Sequence, residues 1–133
     1  MESRYCLQCD DGTRLVHASR DVATQYKGRE VVVKRVKGWH CPKCGEVEFD
    51  PGEGKRYSDA LGKLVAESAA DEAAMLRDTR KRLKLTQKAA SRLTGGGHNA
   101  FSRYERGQAR PVPAVINLFR LLGKHPELLE ELR

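Results

Sequence analysis

Four cysteines lie within the first 44 residues and fall into two pairs, Cys6-Leu7-Gln8-Cys9 and Cys41-Pro42-Lys43-Cys44, with 31 residues between them. A Cys-x-x-Cys pair forms a knuckle that aims two sulfurs at one ion. Four thiolates close a tetrahedral structural zinc site and leave no open position for catalysis. Pro42 shapes the second knuckle, and Gly45 just after it supplies the backbone freedom that such turns need. Disulfides would require an oxidising compartment, and a redox pair would require a thioredoxin-like βαβ context. The sequence offers neither, so one structural Zn2+ on Cys6, Cys9, Cys41 and Cys44 is the expected cofactor. His40, next to Cys41, could displace a thiolate, but a strand-end histidine facing solvent is the expectation.

A second constellation lies in the run Gly95-Gly96-Gly97-His98-Asn99-Ala100-Phe101-Ser102-Arg103-Tyr104-Glu105-Arg106-Gly107. At about 100° per residue, a helix here places Asn99, Arg103 and Arg106 within roughly a quarter-turn of one another. Phe101 and Tyr104 then point the other way, into a core. Arg can pair in a forked way with guanine and Asn with adenine, so this face is suited to a DNA major groove. Asn99 could instead cap the helix and Arg103 could pair with a carboxylate. Their shared face favours base reading for both.

These groups need elements to position them. Between the knuckles, REVVVKRVKGWHC reads as a β-strand, with Val31 and Val33 on one face and Val32, Lys34 and Val36 on the other. Tyr26-Lys27-Gly28-Arg29 is a hairpin turn before it. This half has few large apolar residues, and metal binding would supply the folding energy that packing cannot. Residues 50–55, DPGEGK, read as a loop. Residues 57–75 read as helix, linker or both, with a domain boundary near residue 70.

Five helices are expected beyond that boundary. The first spans Asp71–Lys84 and buries Met75, Leu76 and Leu83. The second is capped by Thr86 and ends near Leu93, and the third is the glycine-led stretch, closed by Gly107. The fourth begins at Pro113 and ends before Gly123, and the last begins at Pro126. The fold class expected is a two-domain α+β chain: a small zinc-bound β-rich domain over 1–69 and an all-α helix-turn-helix domain over 70–133.

Charge follows the same division. Of the net +7, residues 76–133 supply 13 Lys/Arg against 5 Asp/Glu, a net of +8, which is the footprint of a polyanion-binding module. No apolar run approaches the roughly 20 residues that span a bilayer. The first residues lack the basic-then-apolar form of a secretory signal, so the cytoplasm is the expected compartment. No nucleophile–base pair is apparent, and the expectation is a non-enzyme.

Leu85-Thr86-Gln87, the turn that follows, and Ser102-Arg103-Tyr104-Glu105-Arg106-Gly107 resemble the helix-turn-helix of the XRE/Cro-repressor superfamily. In that fold the first helix of the motif crosses the DNA backbone and the second enters the major groove. Ser91 and Thr94 stand where that superfamily usually has Ala and Leu, and Gly96 replaces an apolar turn residue. TQKAASRLTGGGHNAFSRYERGQARP, an apolar helix, GKHPELLEELR and the two cysteine knuckles together resemble the MqsA antitoxin family, the YgiT-type zinc finger proteins. The first knuckle departs from the family in lacking a proline.

That resemblance implies a zinc domain that binds a partner toxin, an mRNA-cleaving ribonuclease. It also implies a C-terminal domain that dimerises and binds a palindromic operator in its own promoter. Asn99 and Arg103 would read bases; Thr86, Gln87, Lys88, Ser102 and Arg106 would contact the DNA backbone. The alternative is a stand-alone XRE-type regulator with a structural zinc domain.

Overall fold

The computed structural model describes residues 3–133 and divides the chain into two compact units, one ending at Ala66 and the other beginning at Glu67. The first unit holds an antiparallel sheet of β1 (Val16–Tyr26), β2 (Arg29–His40) and β3 (Val47–Phe49), in that spatial order. Lys27 and Gly28 form the hairpin turn with φ of 48° and 79°, the left-handed pair that a two-residue connection between right-twisted strands requires.

The alternation read from the valines does not persist along β2. Arg20 pairs with Val36 but Val22 pairs with Val33, so β2 carries one extra residue. Such a bulge shifts the phase of the strand. Val33 and Val36 are therefore both buried, where strict alternation would have put them on opposite faces. The Asp21 carboxylate accepts the Arg35 N–H at 2.9 Å and holds Arg35 at its positive φ of 49°. That hydrogen bond lowers the Asp21 pKa below its ordinary value.

Helix α1 runs from Glu53 to Arg82, so residues 57–75 lie wholly within one helix. Only Pro51 and Gly52 form the turn expected over 50–55. The helix starts early because its first turn has partners on β2. Glu53 accepts the Lys37 N–H at 2.9 Å, and Arg56 donates to the carbonyls of Lys34 (2.7 Å) and Arg35 (3.3 Å). One turn on, the Tyr57 hydroxyl donates to the buried Thr24 Oγ1 at 3.0 Å. The first helix of the C-terminal half thus begins at Glu53 rather than Asp71.

The second unit comprises the last part of α1, α2 (Gln87–Leu93), α3 (Ala100–Glu105), α4 (Pro113–Lys124) and a closing 3-10 helix, Pro126–Leu132. Its core is built from Leu76, Leu83, Ala90, Phe101, Val115, Ile116, Phe119, Leu122 and Leu129, with Met75 and Leu118 half-buried against it. Phe101 is at its centre, with ring centroids 4.9 Å from Phe119 and 5.6 Å from Tyr104. Of the three leucines in the closing 3-10 helix only Leu129 is buried. A β-rich part carrying four cysteines, followed by helices, is the α+β architecture read from the sequence.

The turn from α2 to α3 uses its three glycines differently. Gly95 and Gly97 have φ of 70° and 84°, whereas a Cβ on Gly96 would lie 2.8 Å from the Cβ of Ala100. Gly96→Ala must push α3 away from the turn and is expected to cost about 1–3 kcal/mol. Gly62→Ala, in open space within α1, is expected to add about 0.4–1 kcal/mol. Urea denaturation of the two variants measures both, and equal stabilities would contradict this account of the turn.

Candidate metal centre and nucleic-acid interface

Each cysteine pair is mounted on the same backbone device. The Cys6 carbonyl accepts the Asp10 N–H and the Cys41 carbonyl accepts the Gly45 N–H, both at 3.1 Å. Asp10 and Gly45, each four residues after the first cysteine of its pair, have φ of 48° and 82°. The N–H of Cys6 bonds to the Thr13 carbonyl and that of Cys41 to the Glu46 carbonyl, both at 2.8 Å, closing each loop. An ion pair between Lys43 and Asp11 ties one knuckle to the other.

The four sulfurs converge. Cys6 Sγ lies 3.5 Å from Cys44 Sγ, Cys9 Sγ lies 3.8 Å from Cys41 Sγ, and all four fall within 4.8 Å of one another. Tetrahedral coordination with metal–sulfur bonds of about 2.3 Å places sulfurs roughly 3.8 Å apart. The backbone N–H groups of Cys44 and Lys43 draw the Cys41 thiol down to about 6. Contact with the Cys44 sulfur holds the Cys9 thiol up at about 12. The two shifts thus run in opposite directions, one sulfur facing backbone N–H donors and the other a neighbouring sulfur. The donor set fits a metal ion.

His40 is not part of this set and does not face solvent. It is 4% exposed and its Nε2–H donates to the Val36 carbonyl at 2.9 Å. Past the bulge, Val36 and His40 share the buried face of β2, a phase that strict alternation along the whole strand could not reveal. Among the described residues, the buried apolar cluster at the sulfurs is Cys6, Leu15 and Cys41, with Cys9 and Trp39 half-buried against it.

In the helical unit, Thr86 caps α2, its Oγ1 accepting the Ala89 N–H at 3.0 Å. Gln87 and Lys88 follow it, both exposed. The next helix is capped from outside itself. Ser91, on α2 and 2% exposed, accepts the Phe101 N–H through its hydroxyl at 3.0 Å. Asn99 occupies the N-cap position of α3, yet its side chain makes no capping bond. Ser91 thus does the capping, and the Asn99 amide is left exposed.

Arg103, on the same face, is exposed and makes no ion pair among the described residues. Arg106 donates from Nε to the Ser102 carbonyl at 3.2 Å, and Ser102 is half-buried. Glu105 holds the helix from behind. Its carboxylate receives Arg80 Nε at 2.8 Å and Nη2 at 2.9 Å, while Arg80 Nη1 donates to the Leu85 carbonyl at 3.0 Å. The two side chains are 12% and 5% exposed. Arg80 escaped the sequence reading because its partner lies 25 residues away, with no periodic signal linking them.

Metal removal tests the sulfur cluster. Incubation with a chelator is expected to expose four titratable thiols together and to melt the sheet signal, leaving the helical core in place. Thiols that react in the same number before and after chelation would contradict a shared ion.

A family model described as the antitoxin component of bacterial toxin–antitoxin system, MqsA, matches residues 4–133. Antitoxin MqsA of Escherichia coli (strain K12) is 40% identical over 132 residues, covering 96% of this chain and 98% of that protein. The match takes in both the four-sulfur unit and the glycine-led helix. By this similarity along nearly its whole length, the chain belongs to the MqsA family of antitoxins.

Proposed function

We propose that this antitoxin neutralises a cognate mRNA-cleaving ribonuclease through its sheet-bearing unit and represses its own operon through its helical unit. Its antitoxin role follows from the family, and that role is non-enzymatic. The zinc ion held by Cys6, Cys9, Cys41 and Cys44 is structural in this reading, because four thiolates saturate it. The chain acts in the cytoplasm as a homodimer on a palindromic operator. Its two α3 helices read half-sites about 34–36 Å apart, one turn of the duplex.

The observation that carries the DNA reading is the freedom of two side chains. Ser91 takes over the capping of α3, so Asn99 and Arg103 stand exposed on one face, with no side-chain partner among the described residues to give up. Asn99 pairs with adenine and Arg103 with guanine in the major groove. Thr86, Gln87, Lys88, Ser102 and Arg106 meet phosphates. The first turn of α2 offers backbone N–H groups that suit an anion. The net +8 of residues 76–133 makes affinity fall steeply with salt.

Competition binding separates the two kinds of contact. Arg103→Ala is expected to lose about 1–3 kcal/mol of preference for the operator over random duplex. Lys88→Ala is expected to weaken operator and random duplex alike and to reduce the salt slope by about 1. Undiminished operator preference in Arg103→Ala would refute its role in base reading.

A further inference from the structure

A cleft of about 470 Å³ opens in the helical unit between α2 and the closing 3-10 helix. Its volume lies within the roughly 300–1,000 Å³ of small-molecule sites. The apolar wall is Leu85, Leu93, Leu129 and Leu132, and three cations line it: Lys84, Arg92 and Arg133. Arg133 approaches Glu130 at 3.9 Å. Lys84 and Arg92 have exposed side chains with no ion pair or side-chain hydrogen bond among the described residues. At about 100° per residue, the α2 positions on this cleft (86, 89, 92 and 93) face away from the Ser91 side that holds α3.

We propose that this cleft binds an amphiphilic carboxylate: an organic acid whose apolar chain lies on the leucines and whose anionic head meets Lys84 and Arg92. The pairing follows from charge and polarity. Two cations without partners among the described residues, beside an apolar wall, are served by a ligand that joins one negative group to a hydrocarbon body. A neutral lipid would leave the cations unused, and a bare anion would leave the leucines wet. Thr86, the cap of α2, forms part of the wall, so an occupied cleft also acts on the phosphate-facing end of α2. That consequence rests on the DNA-binding function proposed above, whereas binding of the carboxylate does not.

Calorimetric titration of the full chain with decanoate, below its micelle concentration, tests the site, with decanol as the uncharged control. The expected result is saturable binding at one site per chain, with decanol at least about tenfold weaker. The doubly substituted chain Lys84→Gln, Arg92→Gln is expected to lose a similar factor while keeping its helical content, since neither side chain has a partner among the described residues. Decanoate and decanol binding alike, or decanoate binding unchanged in the double variant, would overturn the proposal. So would affinity that falls as chain concentration rises, which would mean that a second copy covers the cleft. If decanoate binds and operator affinity does not change, the site stands and its coupling to DNA is lost.

Discussion

The forked ion pair between Arg80 and Glu105 is the constraint on which the helical unit depends. Helix α3 has six residues, too few to persist alone in water. It is held where it is by three contacts of different kinds. Phe101 drives it into the core, the Ser91 hydroxyl takes its orphan N–H, and Glu105 locks its last turn to Arg80. Because Arg80 also holds the Leu85 carbonyl, one guanidinium fixes the end of α1, the approach to α2 and the end of α3 together. A buried pair of this kind adds little net stability over an apolar substitute, but breaking it leaves a charge stranded, which costs about 3–5 kcal/mol. Its contribution is to geometry: the face that carries Asn99 and Arg103 can point in only one direction.

The sheet-bearing unit meets a shortage of apolar surface by other means. Its knuckles bury two cysteines and one leucine as their core, with Trp39 flanked by the Arg4 guanidinium and the His17 ring. Small units of this size commonly need a staple such as a metal to hold together. Here the staple is prepared by backbone geometry, since in both knuckles the first cysteine's carbonyl accepts the N–H of a left-handed residue four positions on. The first knuckle has Leu7 where the second has Pro42, and Asp10 takes the left-handed position that Gly45 holds in the second. The two units thus specify their functional groups differently, one through crowded thiols that need a cation and the other through a buried charge pair.

What could be read from the sequence was local. The cysteine spacing, the Lys27-Gly28 turn, the Thr86 cap and the inward Phe101 each follow from a few adjacent residues. What could not be read depended on partners distant in the chain. DPGEGK looks like a loop by composition, yet Glu53 and Arg56 begin a helix because β2 offers them polar groups to bond. The bulge opposite Asp21 inverts the valine pattern and buries His40. Ser91 looks like a departure from a repressor motif until its hydroxyl is seen against the Phe101 N–H. Arg80 and Glu105 are two among many charged residues until the fold brings them together.

The central claim is that α3 reads DNA because the Arg80–Glu105 pair and Ser91 aim it. The most direct measurement is the ratio of operator to scrambled-duplex affinity for Glu105→Gln, a substitution that keeps the shape and removes the charge. The ratio is expected to collapse toward one while affinity for scrambled duplex and overall helical content persist, because the cations proposed to face phosphate are untouched. A folded Glu105→Gln chain that discriminates as well as the parent would contradict it.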